Sequence, residues 1–161
     1  MMGFQKWLNL FFIYTLLLVL IGAYLYQYIA RQEPCPLCLL QRLGMIGVAC
    51  SLLMNLRFGI KAQHYGLAIL SAMIGRSFSL KQISLHICPG FPSYDQEVFG
   101  LDLYMWAFIV FSCSIFASAV LCIFYGYSEP AKKSAVFGVL DHLAFWGVFT
   151  LTAGNILTML I

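Results

Sequence analysis

Apolar residues run along this chain in five long stretches, roughly 8–29, 39–56, 64–80, 103–126 and 135–161, separated by compact polar connections. Each approaches or exceeds the roughly twenty residues that carry an α-helix across about 30 Å of hydrocarbon. Helix is required, because lipid offers nothing to the backbone groups of a lone strand. The third stretch is the weakest, being short and interrupted by Arg76. The fifth carries Asp141 and His142 about two turns from its start, where a buried charge is expensive. As sequence neighbours these two point about 100° apart on a helix, so they are not a ready-made pair. This last stretch reads as a span with an external C-terminus, or alternatively as a re-entrant or interfacial helix. The pattern predicts an all-α integral membrane protein: a four-helix transmembrane bundle plus a fifth C-terminal transmembrane helix, in one domain over residues 1–161.

Composition agrees with that pattern. Of 161 residues 62% are hydrophobic and 9% charged, against roughly 25% charged in soluble domains. The net charge of +3 comes without a basic run, so nothing suggests nucleic acid. The first stretch is too long for a signal peptide, lacks a small-x-small cleavage pattern, and passes into Tyr24–Tyr28, which reads as an interfacial belt. With alternating spans, Lys6, Arg57, Lys61, Lys132 and Lys133 share one side, while Arg31 and Lys81 fall on the other. The excess places the N-terminus in the cytoplasm. The 81–102 loop, with Asp95, Glu97 and Asp102, then faces outward, as do Cys35 and Cys38, in a compartment that permits disulfides.

The candidate chemistry is Cys35-Pro-Leu-Cys38, between the first two apolar stretches, with Arg42 one turn beyond. The four-residue step from Cys38 to Arg42 puts sulfur and guanidinium on one helix face. Cys38 lies where unpaired N–H groups and the helix dipole favour an anion, and Arg42 adds positive charge. That makes Cys38 the stabilised thiolate and Cys35, before the helix, the exchanging sulfur. Pro34 and Pro36 keep the helix from absorbing Cys35. A structural disulfide across four residues closes too small a loop to stabilise much, and zinc lacks a second ligand pair, so redox use is favoured. Cys50, Cys113 and Cys122 read as small packing residues within spans. Gly44 and Gly47, and Ser114 with Ser118, suit helix contacts. His86 is a candidate base for Cys88, or simply an interfacial histidine.

The run Cys35-Pro-Leu-Cys38-Leu-Leu-Gln41-Arg42 after a first span resembles the DsbB family of membrane thiol oxidases. Lys81-Gln82-Ile-Ser-Leu85-His86 is similar to that family's exit from the third span. Phe99-Gly100-Leu101, followed by Trp106, is similar to its entry into the fourth. The resemblance implies oxidation of a soluble DsbA-like thioredoxin-fold dithiol partner, with two electrons passed to ubiquinone or menaquinone in the bacterial inner membrane. It further implies that Cys35, Cys38 and Cys88 are catalytic. Cys38, Gln41, Arg42 and Arg76 would serve the quinone, Arg42 by polarising it, although Arg76 also reads as a snorkelling cation.

Two departures qualify the resemblance. Family members carry two cysteines in the second outer loop, where this chain has Cys88 alone. Either Cys88 bridges to Cys35 and leaves Cys38 as the thiolate on the quinone, or the partner attacks Cys35–Cys38 directly. The second departure is the tail, since four-span members have nothing like residues 135–161. The rival readings are a vitamin K epoxide reductase-like quinone reductase, a soft-metal membrane protein, and a structural subunit stapled by the pair.

Overall fold

A computed structural model of the chain describes residues 2–29, 35–87, 100–126 and 138–160. They form five helices: α1 (Met2–Ile29), α2 (Pro36–Phe58), α3 (Ala62–Ile87), α4 (Leu103–Gly126) and α5 (Val139–Leu160). Three of them, α1, α2 and α4, are long and apolar enough to cross a membrane. The molecule is an all-α membrane protein.

α2 is the centre, packing against α1, α3, α4 and α5. It is also the most enclosed, with Met45, Val48, Ala49, Leu52 and Leu56 inside the core. The third helix is not short. α3 runs unbroken for 26 residues, about 39 Å at 1.5 Å per residue. Arg76 does not end it, because its guanidinium lies over the Phe108 ring of α4 at 4.7 Å.

Glycine sets how closely the central helices approach. A Cβ on Gly44 would stand 2.9 Å from the Gly75 Cα, and one on Gly75 would stand 2.2 Å from Phe111 Cζ. The fully buried Phe111 ring of α4 therefore fills the space that both glycines leave open. Ala107, Phe111, Ser114, Ser118 and Leu121 form the buried stripe of α4. Ser114 spends its hydroxyl on the Val110 carbonyl of its own helix at 2.7 Å, so a small polar residue serves as packing. The expectation for the cysteines is corrected in part. Cys50 and Cys113 are exposed on the outside of the bundle, on turns that α2 and α4 present outward, and Cys122 alone packs on the core.

One end of the bundle is fastened by polar contacts. Asn9 Nδ2 donates to Tyr65 Oη at 2.8 Å, joining α1 to α3. The α2–α3 turn passes through Gly59 at φ 84°. It is held by Asn55 Oδ1, which accepts from the Lys61 N–H at 3.1 Å and from His64 Nδ1 at 2.9 Å. α5 begins later than its apolar run suggests, so Asp141 sits in its first turn rather than two turns in. There Asp141, 1% exposed, accepts from Lys6 Nζ and from the Gly138 N–H, each at 2.8 Å. The cost of burying that carboxylate is offset in part, through Oδ2, by a lysine on α1 and the start of its own helix, while Oδ1 has no partner among the described residues.

The glycine contact yields a stability prediction. Gly75→Ala should lower the detergent-solubilised unfolding midpoint, at a cost of about 1–3 kcal/mol for forcing a methyl into a closed core. Adding Phe111→Leu, which vacates the ring's position, should recover part of the loss. Thermal unfolding of both variants measures the coupling.

Candidate functional site

The opposite end of the bundle gathers the sequence-predicted chemistry. Cys35 is the N-cap of α2 with extended backbone (φ −65°, ψ 131°), and its carbonyl accepts the Leu39 N–H at 3.1 Å. Pro36 starts the helix, where its missing N–H costs nothing and its fixed φ suits the first turn. Cys38 therefore sits in the first turn of α2, where the leading N–H groups lack intrahelical partners. Both cysteines are half-buried and in the thiol form.

Cys38 faces α3. Gln82 Nε2 approaches its sulfur at 3.6 Å and Gln82 Oε1 lies 3.9 Å away. The same Oε1 accepts from Gln41 Nε2 at 2.8 Å. Gln41 and Gln82 are each 5% exposed, so this amide pair is an interior bridge between α2 and α3. It gives Cys38 a neutral, polar wall.

Arg42 turns the other way, toward α1, which corrects the expectation of one shared face. The four-residue step stacks the two residues, but their side chains diverge to different neighbouring helices. It is 7% exposed and does not snorkel. Nη2 donates to the Ala23 carbonyl at 3.2 Å, and the guanidinium carbon stands 4.4 Å from the centroid of the Tyr24 ring. A cation over an aromatic face is favourable, more so when desolvated. Nη1 is buried with no partner among the described residues. So is Gln27 Oε1, one turn along α1 from Ala23. A buried donor and a buried acceptor without partners mark a place where a polar ligand gains hydrogen bonds.

Tyr24 does not belong to an interfacial belt, although Tyr28, 86% exposed, does face outward. The Tyr24 hydroxyl reaches Asn155 Oδ1 at 3.2 Å and the Leu151 carbonyl at 3.4 Å, both on α5. Asn155 is fully buried, and its Nδ2 lies 3.5 Å from the Leu39 carbonyl. The structure thus joins Cys38, Gln41 and Arg42 with Gln82, Tyr24 and Asn155. Arg76 lies apart from that wall, against Phe108 of α4. Cys88 lies outside the described residues, as does any bridge from it to Cys35, and so does the His86 side chain.

Sequence reasoning assigned no site role to Tyr24, Gln27 or Asn155. Tyr24 carries no signal, since a tyrosine near a span end is ordinarily interfacial. Asn155 did carry one: Asp141, Ala144, Val148 and Asn155 recur at helical spacing and form the buried stripe of α5.

The family model for disulfide bond formation protein DsbB matches residues 5–94. Disulfide bond formation protein B of Chromobacterium violaceum is 43% identical over 68 residues, which is 39% of this chain and 40% of that relative. The chain therefore spans well under half the length of the curated relative it matches. No solved structure matches it. The matched region holds both site cysteines, Gln41, Arg42 and Gln82, and on that match the chain belongs to the DsbB family.

Proposed function

We propose that this protein is a thiol oxidase of the bacterial inner membrane that takes electrons from a DsbA-like thioredoxin-fold dithiol partner and passes them to ubiquinone or menaquinone. The reading is carried by one observation: a buried guanidinium one turn beyond Cys38 whose Nη1 has no partner among the described residues, on a bundle end where Gln27 Oε1 of α1 also lacks one. The donor Nη1 fits a carbonyl oxygen of a neutral quinone headgroup, and the acceptor Gln27 Oε1 fits a hydroxyl of the quinol. When bound, a quinone supplies a two-electron, two-proton acceptor and leaves as the quinol.

The chain's own residues divide the remaining work. Arg42 offers Nη1 to an oxygen on which negative charge develops, in a site where its strength is not diluted by water. Gln27 Oε1 accepts from a hydroxyl once one has formed. Gln82 lies against the Cys38 sulfur on the α3 side and is tied there to Gln41, while Arg76, against Phe108, takes no part in this wall. Cys35, before the helix, is the exchanging sulfur and bridges to Cys88. In net terms, the partner's dithiol closes to a disulfide and loses two electrons and two protons, and the acceptor gains both. Two features support an orientation with the thiols outward: α1, α2, α3 and α4 alternate in direction, and Lys6, Arg57 and Lys61 lie at the far end from Cys38. On this reading α3 and α5 cross the membrane with the other three helices, their polar residues turned into the bundle.

Cys38→Ser should abolish quinone reduction in membranes supplied with reduced partner, followed as quinone absorbance. A rate near that of the parent would refute the oxidase. The relay is tested with a partner lacking its resolving cysteine, which should trap a mixed disulfide through Cys88. A trap forming equally well in Cys88→Ser would mean direct attack on the Cys35–Cys38 pair.

A further inference from the structure

α5 lies outside residues 5–94, the region that carries the family match, yet it reaches the acceptor site. Its placement is fixed at both ends. In its first turn, Asp141 is bound by Lys6, and the Leu140 carbonyl accepts from Tyr14 Oη at 2.9 Å. Ala144 and Val148 then carry the buried stripe along α1 and α2, while Leu143, Trp146, Phe149, Ile156 and Leu157 face outward. At the far end the stripe closes on Asn155. An amide with no exposed surface is costly unless it is hydrogen-bonded. Its oxygen takes the Tyr24 hydroxyl, and its nitrogen points at the carbonyl of Leu39, the residue after Cys38.

We infer that α5 completes the acceptor site, and that Asn155 is a positioning residue acting on the quinone through Tyr24 and Arg42. The contact is sequential. Asn155 and the Leu151 carbonyl fix the Tyr24 hydroxyl, and with it the tilt of the ring. The ring and the Ala23 carbonyl fix the guanidinium. Nη1, buried and without a partner among the described residues, is thereby held in one direction. Without Asn155 the ring pivots about its Cα–Cβ bond, and Arg42 loses the surface it lies against. A donor free to wander binds an oxygen less well, because ordering it must then be done at the moment of binding. Four-span members have no such helix; here an added helix supplies the support from the α5 side. This rests on the proposed role of Arg42 toward a quinone.

The test uses the purified full chain in nanodiscs. The equilibrium affinity for a short-tailed ubiquinone is read from quenching of tryptophan fluorescence, and kcat is measured separately with dithiothreitol as the electron donor. Asn155→Leu keeps the volume and removes the amide; Tyr24→Phe keeps the ring and removes only its hydroxyl, so it serves if the first variant folds poorly. Each should weaken quinone binding about tenfold, equivalent to about 1.4 kcal/mol, and lower kcat by less. The double variant should be no weaker than either single one, since both cut the same link. If affinity stays unchanged in both while Arg42→Met weakens it, the positioning role is wrong and the quinone reading stands. Multiplying losses in the double variant would also overturn it, by showing that Asn155 acts on a separate path. If Arg42→Met itself leaves affinity unchanged, the quinone assignment of Arg42 fails, and this inference falls with it.

Discussion

The constraint on which this structure turns is the burial of one guanidinium. Arg42 sits on the central helix at 7% exposure, and a cation so placed must be met by protein rather than by water. The Ala23 carbonyl and the Tyr24 ring meet it from α1. That in turn demands that α1 lie against α2 at this depth, and that Tyr24 turn inward although its position in the span suits an outward tyrosine. The inward hydroxyl then needs an acceptor of its own, which α5 provides through Asn155 and the Leu151 carbonyl. Each step creates a polar group that the next helix must satisfy. The arrangement of α1, α2 and α5 follows from that chain as much as from apolar packing.

The other half of the bundle obeys a steric rule instead. α2 and α3 approach through Gly44 and Gly75, and α4 drives Phe111 into the gap. No charge takes part in that contact. The amide bridge from Gln41 to Gln82 sits on the same α2–α3 seam, toward the end that bears Cys38. Close backbone approach is what lets two short amide side chains meet directly.

Much of this was legible in the chain itself. Apolar run length locates the helices, because lipid leaves the backbone no alternative. The Cys38–Arg42 spacing places the two residues one turn apart, because helix geometry fixes it, while the neighbouring helices decide where each side chain points. What hydropathy misses is the partner of each polar residue. Arg76 makes α3 look interrupted, yet an aromatic face from α4 accommodates it. Asp141 looks too deep for a charge, yet it occupies a first turn opposite Lys6, 135 positions away. Cys50 and Cys113 look like packing residues but face outward, since the runs are apolar on every side and give no face to choose. Tyr24 fails for a related reason: the residues that turn it inward, Arg42 and Asn155, are remote in sequence.

The site sets a buried cation on the α1 side of α2 and a half-buried sulfur on its α3 side. Arg42 is held by a carbonyl and a ring on one helix. Cys38 Sγ has Gln82 Nε2 at 3.6 Å and Gln82 Oε1 at 3.9 Å among its contacts, and sulfur is a weak hydrogen-bond partner. A thiol gripped by strong donors would have to break them each time it changed partner. Exchange proceeds through attack of one sulfur on another, so on the proposed reading a reacting sulfur must be able to change neighbours. Gln82 can follow the sulfur without losing its own anchor, because its oxygen remains bonded to Gln41 at 2.8 Å. On the proposed reading the amide pair walls the sulfur on the α3 side, and Arg42 is the buried cation on the α1 side.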